Sequence, residues 1–110
     1  MYKRQDLATA QRAAGKADDA LKTIQAFVWH DIQPAHQAKL HVLWGMILVD
    51  QGSLPAAFDQ AAIAAVIKGS EPATIAAAKA LAQAVNDKLS KDPSVSAADK
   101  AEFKRSLSLF

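Results

Sequence analysis

A chain of 110 residues with a formal net charge of +2 is sized for one domain, burying about two-thirds of the surface its unfolded form exposes. The absence of cysteine excludes disulfides and thiolate metal sites. The weak basic bias falls short of a nucleic-acid signature. Alanine supplies 25 residues and Gly and Pro four each. No alternating β-branched run bounded by turn residues occurs, so the fold class is all-α.

In chain order the pattern predicts six helices. The first runs from Lys3 to Ala14 and stops at Gly15. The second starts at Lys16 or Ala17, presents Ala20, Leu21, Ile24, Phe27 and Val28 on one side, and ends around Trp29–Asp31. The third begins at Pro34, a good first-turn residue, and reaches Asp50, with Gly52 as its stop. Ser53 is the expected cap of the fourth, which has Pro55 in its first turn and extends to Lys68 before Gly69. The fifth follows a cap at Ser70 or Glu71, carries Pro72 in its first turn and buries Ile75, Ala78, Ala82, Val85 and Leu89, until Asp92-Pro93 breaks it. Ser96 and Asp99 form a capping-box-like start for the sixth, with Phe103, Leu107 and Phe110 at i, i+4 and i+7.

The middle of the chain is the core-rich part. Residues 40–78 hold one lysine, Lys68, against Asp50, Asp59 and Glu71. The longest strongly apolar run, Val42 to Val49, is eight residues, whereas a spanning helix needs about 20. No membrane span is expected. Lys3 and Arg4 are followed by no apolar segment, so no secretory signal is expected and the cytoplasm is the expected compartment. Gly45, inside that run, costs about 1 kcal/mol of helix stability. It is expected at a close approach between helices.

Little in the chain points to chemistry. His36 and His41 are five apart and do not share a helix face, unlike i, i+4 metal pairs. A site from His30, Asp31 and His36 is the one metal candidate, and solvated histidines are the simpler reading. No nucleophile elbow and no Gly-rich phosphate loop occurs. The helix after Gly52 offers Asp59, Gln60 and then alanines up to Lys68, a face that would bury rather than read bases. Neither catalysis, a cofactor nor nucleic acid is expected.

Helix–Gly–helix occurs twice, with Gly15 and Gly52 37 residues apart, a period typical of stacked helical hairpins. In residues 3–70 the chain resembles the tetratricopeptide-repeat family. In the second unit Trp44-Gly45 is the large-then-small pair, followed by Leu48, the turn Gly52, Leu54, and the small Ala57 and Ala64. In the first unit Leu7-Ala8, Gly15, Ala20 and Ile24 match. Ala61 stands where the family has a bulky residue and Phe27 where it has a small one, and the late proline is displaced to Pro34 and Pro72. The third unit fits only as two helices. The resemblance implies three stacked antiparallel hairpins, 1–33, 34–70 and 71–110, with the last helix capping the stack.

It also implies a non-enzymatic adaptor or chaperone, similar to the small ones of bacterial secretion systems, binding an apolar or helical segment of a protein partner. The groove positions carried over are Tyr2, Gln5, Thr9, Arg12 and Ala13 in the first unit, and Lys39, Val42, Met46, Val49 and Asp50 in the second. Val42, Met46 and Val49 form an apolar i, i+4, i+7 stripe that is either groove or core. The alternative function is a self-associating subunit, a homodimer through the apolar helix ending in "SLSLF".

Overall fold

A computed structural model describes residues 3–27 and 32–108, with the side chains of all of these but 3–5. Six helices and no strand occur among the described residues: α1 (Lys3–Ala13), α2 (Ala17–Gln25), α3 (Pro34–Asp50), α4 (Leu54–Val66), α5 (Pro72–Ser90) and α6 (Ala97–Leu107). They pair in sequence as α1/α2, α3/α4 and α5/α6, and the hairpins stack through α2 on α3 and α4 on α5. The molecule measures 42 × 30 × 20 Å.

The two glycine turns have one geometry. Gly15 and Gly52 have φ of 78° and 79°, a left-handed conformation that a Cβ would strain. The Lys16 amide reaches back to the Gln11 carbonyl at 2.8 Å, and the Ser53 amide to the Leu48 carbonyl at 2.8 Å. Each is the six-to-one bond of a Schellman motif, and each atom pair recurs after 37 residues. The period holds in the core. Ala8 and Ala20, fully buried in the first hairpin, correspond to buried Gly45 and Ala57 in the second. It extends further than the sequence pattern led us to expect. Leu81 and fully buried Ala82 of α5 stand 37 residues after Trp44 and Gly45, so the third hairpin repeats the large-then-small pair in its first helix.

The spine is α3. It is apolar nearly all round, as a helix buried on several sides must be. Leu43 and Ile47 join Ala8, Ala20 and Ile24 beneath the first hairpin. Leu48 joins Phe58, Ala61, Ala82, Val85 and Leu89 beneath the last two, and Val42 meets Ala64 and Ala78. Burying each large aliphatic side chain contributes about 1.5–3 kcal/mol. The close approach expected at Gly45 is present: a Cβ there would stand 2.6 Å from Leu81 Cδ2 and 3.2 Å from the Ala57 carbonyl oxygen.

Two helix ends and one cap differ from the sequence expectation. The second helix stops at Gln25, short of Trp29–Asp31, and Val28–Asp31 lie outside the described residues. The fourth ends at Val66, because Ile67 turns extended (ψ 124°) and the Ser70 hydroxyl closes the exposed end on the Ala64 and Ile67 carbonyls at 3.0 and 2.7 Å. Ser53 makes no side-chain cap; its backbone already serves the preceding Schellman turn. Ser96 does cap α6, accepting the Asp99 amide at 3.1 Å.

Candidate functional site

The residues predicted to line a groove lie on α1 and α3. Tyr2 is outside the described residues, as is the side chain of Gln5. Thr9 and Ala13 are exposed. Arg12 and Asp50 are brought together, with Nε 2.7 Å from Oδ2, and each is about one-third exposed. The Gln51 amide also donates to Asp18 Oδ1 at 2.7 Å, so two polar contacts tie the first hairpin to the end of α3. Lys39 pairs with Glu71 of the residue preceding α5, Nζ to Oε2 3.4 Å.

The apolar stripe does not form one open surface. Val42 is 8% exposed and belongs to the core with Ala64 and Ala78. Met46 is half-buried against the same cluster, and Val49 against the larger one. What stays open on this side is a depression of about 250 Å³ between α3 and α5, lined by Lys39, Val42, Glu71, Ala73, Thr74 and Ala77. On α3, burial first, and the charge of Lys39 second, hold the pKa of His36 below the usual histidine value. The charges here are largely paired with one another.

A larger concavity, about 440 Å³, opens between α4 and α6. The first wall is α4, whose residues Phe58, Asp59, Ala62, Ala65 and Val66 face it. Glu102, Phe103 and Ser106 of α6 form the second. The floor is the edge-on contact of Phe58 with Phe103, ring centroids 5.3 Å apart, a geometry that places ring edge against ring face. The apolar surface continues outward: Val66 is 79% and Ile63 39% exposed. Asp59 is the single charged residue of α4. Its neighbour Gln60 turns the other way and fixes α4 to α3, accepting a hydrogen bond from His41 Nδ1 at 2.6 Å while the His41 ring stacks on Trp44.

Sequence reasoning did not find this cleft. The available signal was weak: α4 is apolar on most sides, but α3 and α5 both pack on it and account for much of that surface. The second wall depends on where α6 docks, which no local pattern specifies.

Among the described residues no helix is long and apolar enough to cross a membrane, and no group of three or more His, Asp or Glu is placed to hold a metal. His30 and Asp31 of the one metal candidate lie outside the described residues. No protein family, curated protein or solved structure matches the chain.

Proposed function

We propose that this chain is a non-catalytic protein-interaction domain, a tetratricopeptide-repeat-like adaptor or chaperone of the cytoplasm that holds an apolar helical segment of a partner. The observation that carries this reading is the cleft between α4 and α6. It is concave, floored by two aromatic rings and bordered by exposed Val66. Pockets of this volume, mostly apolar with a few polar groups at the edge, are the usual form of a binding site. The shallower face of α1, α3 and α5, where Thr9, Arg12, Lys39, Val42, Met46, Val49 and Asp50 were expected to bind, has its main charges engaged internally.

Titrating the labelled protein with an amphipathic helical peptide while following backbone amide shifts tests the reading. Shifts clustered on α4 and α6 support it. Shifts on α1 and α3 would return the site to the inner face, and no saturable shifts anywhere would remove the reading.

Self-association is the second reading, and half-exposed Leu7 on α1 favours it. The route first expected for it, through the last helix, is less available: Phe103 and Leu107 pack on the chain's own core. Sedimentation of the isolated protein decides, since a subunit of an assembly should not be monomeric.

A further inference from the structure

We propose that the cleft between α4 and α6 takes a basic amphipathic helix of a partner protein; this rests on the interaction-domain reading above and specifies its ligand. The chain carries 13 Lys and Arg against 11 Asp and Glu, yet the eight residues lining the cleft include two carboxylates, Asp59 and Glu102, and no cation. One carboxylate stands on each wall, flanking an apolar floor.

Asp59 is exposed and is the one charge on a thirteen-residue helix otherwise of apolar residues and a glutamine. Among the described residues Glu102 pairs with the neighbouring Arg105, at 3.2 Å within the same helix, both about two-thirds exposed. Such an exposed pair is worth little and yields readily to a competing cation. An occupant that fits must therefore bury an apolar strip on Ala62, Ala65, Val66 and Phe103 and bring positive charge to both flanks.

The walls are helices, so side-chain ridges rather than a free strand edge receive the ligand, the mode in which a groove takes an amphipathic helix. From Phe58 to Val66 the α4 wall runs a little over two turns, about 12 Å. That length matches two apolar anchors one or two turns apart.

The test uses the full chain and two designed helical peptides with the same leucine and phenylalanine stripe, one flanked by lysines and one by glutamates. Fluorescence anisotropy at low salt should show the lysine peptide binding about three- to tenfold more tightly, as expected for one or two partly exposed pairs. Adding salt should erase the difference. The double variant Asp59→Asn, Glu102→Gln should lose the preference while melting at an unchanged temperature, because both side chains are exposed. Val66→Ser should weaken both peptides.

Equal binding of the two peptides, with amide shifts at the cleft, would overturn the charge inference and leave the interaction domain standing. Tight lysine-peptide binding that the double variant does not alter would also overturn it, by placing the basic ligand elsewhere. Failure of both peptides to bind would remove the inference and the site together. A concentration-dependent dimer that Val66→Asp dissociates would make a second copy of this chain the occupant in place of a basic partner helix.

Discussion

Two residues show how a single position is decided by its neighbours. Gly45 sacrifices about 1 kcal/mol of helix propensity relative to alanine, and Leu81 and the Ala57 carbonyl occupy the space its side chain would take. The leucine tip can shift, whereas the carbonyl belongs to α4 and cannot move alone. Gly45→Ala should therefore fall within about 1 kcal/mol of the parent, propensity offsetting contact. Gly45→Leu should lose about 1–3 kcal/mol by overpacking. Urea denaturation of the pair checks both, and equal stability of the two variants would mean the helices separate freely there. Arg12 reads differently from sequence and from structure. As an exposed groove residue it should tolerate a charge reversal. Paired with Asp50 at 2.7 Å and one-third exposed, it should not: Arg12→Glu sets two carboxylates against each other. We expect a loss of about 1 kcal/mol, largely restored by Asp50→Lys in the same chain. A double-mutant cycle with zero coupling would show the pair to be unimportant.

At the scale of elements, helices were legible wherever backbone chemistry punctuates them. Pro34 and Gly52 bracket α3, Pro72 opens α5, and Ser96 caps α6. The misplaced end of α2 had no such marker, and α4 stops at Val66, three residues before the glycine, Gly69, that was expected to end it. The end of α4 depends on the Ser70 hydroxyl reaching carbonyls three and six residues back, and apolar periodicity through Ile67 gave no sign of it. The sixth helix is the weakest element. None of its described residues is buried, and it is held by half-buried Phe103 and Leu107 on the core of α5 and by the ring contact with Phe58. Local opening free energy follows buried contacts. Amides of α6 should thus exchange faster than those of α3, and Phe103→Ala should widen the gap while costing about 1–2 kcal/mol, less than a fully buried phenylalanine. Exchange of α6 as slow as α3 would place it in the cooperative core.

Over the whole molecule, the stack of hairpins was legible because one 37-residue spacing governs turns, small residues and bulky residues alike. The third unit hid its membership. Leu81-Ala82 keeps the pattern, but the position equivalent to Gly52 is Leu89, buried in the core, so α5 runs on to Ser90 and the second helix begins only at Ala97. The cleft is lined from α4 and α6 together, which is why the site could not be read from either helix alone. Removing residues 94–110 tests the arrangement as a whole. The deletion strips Val95, Phe103 and Leu107 from the cluster of Phe58, Ala82, Val85 and Leu89. A stack of repeats needs a covered end to stay soluble, and the uncovered residues would join exposed Val66 and Ile63 in one apolar patch. The truncated chain should bind a hydrophobic dye, melt at lower temperature and aggregate with rising concentration. A truncated chain that stays monomeric with unchanged melting would show that α6 contributes nothing to the stack, and the cleft would then have only one wall.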